Sequence, residues 1–233
     1  MKRILAIVMA LALVLVLAAC GGSGAMSHKD YMDAALDTEV TVETYVQAKQ
    51  SWEDGQVTLY TQAKDGAYFI YGATCSEADY EKLTPGTKIL VKGFKSEWSG
   101  EIEIVDATFE IKRGSYVAEP LDVTAMLGTE DLAQHMNEKV AFKGMTVEAA
   151  NEAGDAFMYN WDGSGQEGDD LYFNVSVNGA TYSLTVESSL CGPDTEVYQN
   201  VKSLKVGDKI DLEGFLYWYE GANPHITAVT PVA

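Results

Sequence analysis

The chain has 233 residues, of which 35 are acidic and 16 basic, and its formal net charge is −19. Proteins that bind phosphates need clustered Lys and Arg, so nucleic acid is not an expected partner, and an anionic membrane surface would repel the chain as well. Thirteen Tyr, four Trp, seven Phe and 21 Gly indicate a β-rich, turn-rich protein that is too apolar to be disordered.

The first twenty residues have the pattern of an export signal that ends in a cysteine. Lys2 and Arg3 form a basic start, and residues 4–19 are an unbroken apolar run of 16 residues. That run is shorter than the roughly 20 residues needed to cross a bilayer core. The sequence Leu-Ala-Ala-Cys that ends at Cys20 resembles the lipobox of bacterial lipoproteins.

This resemblance implies that residues 1–19 are a signal peptide and that Cys20 is the lipid attachment site. The protein would then be extracytoplasmic and held to the bacterial membrane by its N-terminal lipid alone, since 14 basic residues against 35 acidic ones remain. Two alternatives are an ordinary secretory signal cut elsewhere and a retained membrane anchor. Residues 20–37 would hold the lipidated cysteine, a Gly/Ser tether and either a short helix over 28–36 or a disordered extension.

An internal repeat divides the rest of the chain. Residues 83–94 match residues 204–215 at a constant offset of 121 residues, and both copies contain the pattern Gly-x-Lys-Ile-x-φ-x-Gly-Phe, in which φ is an apolar residue. The repeat predicts two related domains, 38–112 and 118–232, the second of which includes a helical connector over 121–137.

The first domain has the predicted order strand-strand-strand-helix-strand-strand. Its fifth strand changes apolar parity between Ile104 and Val105, which predicts a bulge. This element order is that of the OB fold, and the fourth strand resembles OB domains of exported bacterial proteins. The expected fold class is all-β with a few short helices, arranged as two tandem OB-fold-like five-stranded Greek-key barrels. An SH3-like barrel and a small sandwich are the alternatives.

The second domain carries extra strand material before its second strand, over residues 156–161. Asn178-Gly179 predicts a two-residue hairpin between the strands at 171–177 and 181–186. A helix near 195–204 would precede the fourth strand. Cys75 and Cys191 are interpreted as two buried small hydrophobes, with a disulfide between the domains as the alternative.

The sequence favours a protein that is not an enzyme. His28, His135 and His225 lie in separate predicted elements, and the sequence contains no nucleophile-elbow, metalloprotease or phosphate-binding glycine motif. No cofactor is expected.

Aromatic residues in the loops are the candidate ligand-binding groups. An OB barrel binds its ligands across strands two and three, between the loops that join strands one to two and four to five. The candidates at those positions are Trp52, Tyr60, Trp98, Tyr217, Trp218 and Tyr219. Such rings stack on sugars or apolar side chains, but large aromatics also commonly fill interfaces, so burial between the two domains is the alternative.

An acidic loop in the second domain partly matches a calcium-binding loop. Its oxygen-bearing candidates are Asn160, Asp162, Ser164 and Asp170. The first position is Asn rather than Asp, and the last carboxylate comes one residue early, so a solvated acidic loop is the favoured interpretation over a calcium site.

These features favour a lipid-anchored, non-catalytic binding or adhesion module that uses its aromatic loops on a glycan or a peptide. The alternative is a structural or assembly lipoprotein of the cell envelope that acts through contacts with a partner protein.

Overall fold

The computed structural model describes residues 24–232, in which strands predominate. A short helix, α1 (His28–Asp33), comes first. The first five-stranded unit consists of β1 (Glu39–Lys49), β2 (Gln56–Gln62), β3 (Ala67–Thr74), α2 (Glu77–Tyr80), β4 (Thr87–Trp98) and β5 (Glu101–Ser115).

These five strands form a closed barrel in the order β1-β2-β3-β5-β4, with β4 pairing back onto β1. The pair β3–β5 is parallel, at Phe69–Glu103 and Ile70–Ile104, and the other pairs are antiparallel. In β1, buried Val40, Val42 and Val46 alternate with less buried residues and point into the barrel, as the period of two requires. This is OB-fold topology.

The second unit repeats that topology with additions. Two short 3₁₀ helices, Thr124–Met126 and Glu130–His135, occupy the connector. The strands and helix are β6 (Leu121–Asp122), β7 (Lys139–Glu148), β8 (Met158–Tyr159), β9 (Leu171–Val177), β10 (Ala180–Val186), α3 (Glu196–Ser203), β11 (Lys209–Phe215) and β12 (His225–Pro231).

Pairing of β7 with β9 closes the second barrel in the order β7-β9-β10-β12-β11, while β6 and β8 flank it. The β10–β12 pair is parallel, as is its counterpart in the first barrel. The predicted fold class, two tandem OB-fold-like barrels with few short helices, is therefore confirmed, and the SH3-like and sandwich alternatives are excluded.

Both copies of the repeat place a glycine opposite a bulge in the last strand. Gly93 lies where the register shifts from Lys92–Thr108 to Phe94–Val105, so β5 contains one extra residue. Gly214, in β11, lies where the register shifts from Glu213–Ala228 to Gly214–Ile226, so β12 also contains one extra residue. A Cβ atom at Gly214 would lie 2.2 Å from the carbonyl oxygen of His225, a distance that no side chain tolerates. The shared glycine thus serves the barrel closure.

The remaining predicted local elements form with small differences in length. Helix α1 is shorter than expected, but it is docked, because Tyr31 is 1% exposed and the Lys95 ammonium donates to the carbonyls of Met32 and Ala34. Asn178-Gly179 joins β9 to β10 with positive φ at both residues. Cys75 and Cys191 are buried and free.

Candidate functional site

The surface of the first barrel that corresponds to the OB ligand face is covered by the second barrel. Tyr60 on β2 and Phe69 on β3 are 1% and 4% exposed. The Tyr60 ring stacks on Phe215 with centroids 4.7 Å apart, and Phe69 meets Tyr217 edge-on at 5.2 Å. Tyr60 points out of its own barrel as expected, but it is buried in the interface and not accessible to a ligand.

Loops at both ends of this face also contact the second barrel. The Ser51 amide donates to the Ser189 carbonyl at 2.7 Å, and the Trp218 amide donates to Glu101 Oε2 at 2.9 Å. A Cβ atom at Gly100 would lie 2.9 Å from Trp218 Cδ1, so this ring packs directly on the glycine. Trp218 therefore belongs to the interface rather than to an open rim.

The other predicted aromatics are more exposed. Trp52 is 38% exposed, and its indole N–H donates to the Cys75 carbonyl at 2.9 Å. Trp98, at the end of β4, is 61% exposed, and Tyr219 is 50% exposed. The structure does not bring these three residues into one site. Of the three, only Tyr219 lines the two cavities of the second barrel that are described next.

The OB ligand face of the second barrel is open and contains two adjoining cavities of about 470 and 420 Å³. The residues that line both are Trp161, Tyr172, Tyr219 and Asn223. Trp161 comes from the loop between β8 and β9, Tyr172 from β9, and the other two from the loop between β11 and β12. These are the positions from which an OB barrel contacts its ligands. The two cavities together are called the aromatic cleft below.

The larger cavity, called the Glu187 cavity, is completed by Glu187, Tyr217 and His225. The Tyr60 hydroxyl lies 2.6 Å from His225 Nδ1 and donates to Glu187 Oε2 at 3.0 Å. Because this hydroxyl has one hydrogen, His225 Nδ1 must carry its own hydrogen when Tyr60 donates to the carboxylate. The first barrel thus supports the floor of a cavity that opens on the second.

Glu187 and His225, two titratable groups of this cavity, have opposite pKa shifts with the same cause. Burial raises the pKa of Glu187 to about 7, and the negative charge of Asp170 adds to that shift. Burial lowers the pKa of His225 to about 3, so the imidazole is neutral. The protonation state of Glu187 therefore changes near neutral pH while His225 stays uncharged.

The smaller cavity, called the Asn174 cavity, presents uncharged groups. Besides the shared residues, it is lined by Ala150, Met158, Asn174, Ser183 and Ala222. The side chains of Asn174 and Ser183 can donate and accept hydrogen bonds to a polar ligand. The cleft as a whole therefore combines ring faces with a few polar groups.

The exposed Trp161 is carried by a structured loop. Asp162 Oδ1 accepts hydrogen bonds from the Ser164 amide at 3.0 Å and the Ser164 hydroxyl at 2.6 Å. The Asn160 amide donates to the Asp170 carbonyl at 2.9 Å, which ties the loop to the start of β9. These bonds hold a ring that is 74% exposed at the rim of the cleft.

The calcium candidates take part in these local bonds. The carboxylate of Asp170 accepts hydrogen bonds from the amide and hydroxyl of Ser188, and that of Asp162 bonds Ser164. Over residues 24–232, no group of three or more His, Cys, Asp or Glu side chains is placed to hold a metal ion. The solvated acidic loop stays the favoured prediction, with calcium binding as its untested alternative.

The ligand-binding residues predicted from the sequence do not include Trp161, Tyr172, Glu187 or His225, which all line the cleft. Trp161 carries a usable signal, because it lies in the loop between the first and second strands of the second domain. The others carry none, since a carboxylate or a tyrosine in this composition is unremarkable until the two barrels pack together.

No protein-family model and no curated protein matches this chain. Solved structures do resemble it. They include the HINa domain of Ifi202 in complex with 20-base-pair double-stranded DNA, at 14% identity over 85% of this chain and 97% of that chain, with a TM-score of 0.34. A murine DNA-binding protein bound to double-stranded DNA has 11% identity over 84% and 98%, with a TM-score of 0.36. A replication protein A heterotrimer bound to single-stranded DNA has 10% identity over 82% and 49%, with a TM-score of 0.32.

These structures correct one expectation. Nucleic acid was not an expected partner because of the acidic composition, but proteins of similar architecture are found in complex with DNA, so that exclusion is wrong. At these identities the likeness concerns the fold alone. What this chain binds must be argued from its own residues.

Proposed function

We propose that this protein is a non-catalytic binding module that holds a small organic group in the aromatic cleft of its second barrel. The observation that carries the proposal is the pair of adjoining cavities on the open OB face, with Trp161 and Tyr219 exposed at their shared wall. Large exposed aromatic rings beside a cavity are typical of ligand sites.

The lining suggests how a ligand is held. Trp161 and Tyr219 offer ring faces that stack on the apolar face of a sugar or on an apolar side chain. Asn174, Ser183 and Asn223 offer hydrogen-bonding groups that fix orientation. A glycan or a peptide is the proposed ligand class.

We also propose that the module is displayed outside the bacterial cell membrane by a lipid on Cys20. The signal sequence and Cys20 lie outside the described residues, and the proposal rests on the lipobox resemblance. None of the helices formed by residues 24–232 is long and apolar enough to cross a membrane.

Glycan and peptide arrays test the proposed function, with single-stranded oligonucleotides included as a further arm. Trp161→Ala and Tyr219→Ala are expected to weaken binding about 5- to 150-fold each, because an aromatic anchor contributes about 1–3 kcal/mol. Trp98→Ala is the matched control, since Trp98 is exposed but lies outside the cleft.

Three results would contradict parts of this proposal. Binding that Trp161→Ala leaves unchanged would remove the cleft from the function. Oligonucleotide binding through the cleft would keep the site but replace the ligand class. A complete absence of binding, with a stoichiometric partner protein crosslinked in cells, would favour the envelope-assembly alternative.

A further inference from the structure

The Glu187 cavity joins four aromatic side chains to a carboxylate that has no cationic partner among residues 24–232. Trp161, Tyr172, Tyr217 and Tyr219 contribute rings to its lining, and Glu187 is its one acidic residue. None of the lining residues is Lys or Arg, and the remaining titratable group, His225, is neutral.

The surroundings of Glu187 leave its negative charge uncompensated. Its described hydrogen-bond donors are the Gln50 amide and the Tyr60 hydroxyl, both of which are neutral and both of which bond Oε2. His225 Nδ1 lies 3.5 Å from the same oxygen, and the other titratable groups near Glu187 are Asp170, Cys191, Tyr172 and Tyr217. The side chain is 23% exposed, so a molecule in the cavity can reach it.

We propose that the Glu187 cavity binds a ligand through a quaternary ammonium group, which the aromatic side chains surround and the Glu187 carboxylate neutralises. The inference rests on the proposed function of the same cleft and specifies its ligand chemistry. Ring faces attract cations, and several rings around one site are the usual means of recognising a quaternary ammonium group.

The lining distinguishes a quaternary from a primary ammonium group. A primary ammonium has three N–H donors and is strongly hydrated. Moving it into the cavity costs free energy unless acceptors replace the lost water. A quaternary ammonium has no N–H group, so aromatic carbon and one carboxylate satisfy it. The net charge of −19 also favours a cation over an anion at this site.

Cation binding is coupled to ionisation of Glu187. Burial raises the pKa of this carboxyl to about 7, so it is largely protonated below that pH. A cation in the cavity favours the ionised form, and binding therefore releases a proton when it occurs near or below neutral pH. Affinity for the cation is expected to rise between about pH 6 and pH 8 and then level off.

Calorimetric titration of the purified protein tests the proposal with choline and with 3,3-dimethylbutan-1-ol, its neutral analogue of the same shape. Choline is expected to bind about ten-fold or more tightly than the neutral analogue at pH 8. Trp161→Ala is expected to weaken choline binding about ten-fold, while Trp98→Ala leaves it unchanged.

Glu187→Gln keeps an acceptor for Gln50 and Tyr60 and removes the charge. This variant is expected to lose most of the preference for choline over the neutral analogue, because only the attraction of the ring faces for the cation remains. If it does not fold, the wild-type pH series serves instead, because only choline binding should strengthen between about pH 6 and pH 8. Vesicles of phosphatidylcholine, compared with free choline, distinguish a lipid headgroup from a free solute, and either source supports the proposal.

The outcomes separate this inference from the proposed function. Equal binding of choline and its neutral analogue at pH 8, or no choline binding together with a Trp161-dependent glycan or peptide, overturns the inference and leaves the binding function intact. Failure of every probe to bind the cleft overturns both.

Discussion

At the scale of single residues, the interface between the barrels contains the buried carboxyl of Glu101, which has no cationic partner among residues 24–232. Glu101 is 0% exposed, and it accepts hydrogen bonds from the Asn137 amide at 2.6 Å and from the Trp218 backbone. Burial, the largest cause, raises its pKa to about 8, and the nearby Glu103 carboxyl adds to the shift. Together with Glu187, this group makes the contact between the barrels sensitive to pH.

The free energy of unfolding is therefore expected to fall as pH rises from about 4.5 to about 8. Folded Glu101 retains its proton in this range while the unfolded side chain loses it, so the folded state binds more protons and its stability decreases with pH. One such group contributes a slope of up to about 1.4 kcal/mol per pH unit. Urea unfolding at several pH values measures this slope.

Glu101→Gln provides the comparison. The variant lacks the ionisable group, so its stability is expected to decline less steeply over the same range than that of the wild-type protein. Parallel pH profiles for the two proteins would show that Glu101 does not carry this dependence.

At the scale of elements, the repeated glycine and the bulge opposite it act together. Gly93 and Gly214 occupy the same position in β4 and β11, and each faces the extra residue of the last strand. The bulge bends that strand and brings one of its backbone carbonyls close to the glycine. The missing side chain leaves room for this carbonyl. The glycine that both copies of the repeat share is therefore explained by the geometry of barrel closure.

Gly214→Ala is expected to destabilise the protein by at least about 2 kcal/mol, because the new methyl group would overlap the carbonyl of His225. Gly192→Ala is the control, since its nearest contact would be 3.3 Å from the Ser188 carbonyl. Thermal and urea unfolding compare the two. Equal stability of both variants would mean that β12 can move away at little cost.

At the scale of the whole molecule, the two barrels share a topology but not a surface role. The first barrel uses its β2–β3 face to contact the second, through a cluster that contains Tyr60, Phe69 and Phe215. The second barrel keeps its corresponding face open, and across the contact Tyr60 and Gln50 donate hydrogen bonds to Glu187, which lines the Glu187 cavity. The tandem arrangement is therefore part of the proposed site.

The proposed anchor is tested on the intact cell. Cys20→Ser is expected to abolish labelling with radioactive palmitate and to move the protein from the membrane to the soluble fraction, since stable anchoring needs the acyl chains. Gly22→Ala is expected to change neither property. Retention of Cys20→Ser in the membrane fraction would favour a retained signal segment over a lipid.

The barrels and their turns are predictable from the sequence, because they depend on local patterns. Alternation in β1, the Asn178-Gly179 turn and the parity change in β5 each follow from the period of the strand or from backbone sterics. The repeat then determined that there are two barrels.

Which aromatic rings are available to a ligand depends on how the two barrels pack. Tyr60 is buried in the interface and Trp218 is half-buried against Gly100, whereas Trp161 is exposed at the rim of the aromatic cleft. The Tyr60 contact with His225 joins residues 165 positions apart, and no pattern along one strand encodes it. Exposure of a ring and the pKa of a carboxyl both depend on which surfaces exclude water, and that is fixed only when the two barrels pack together.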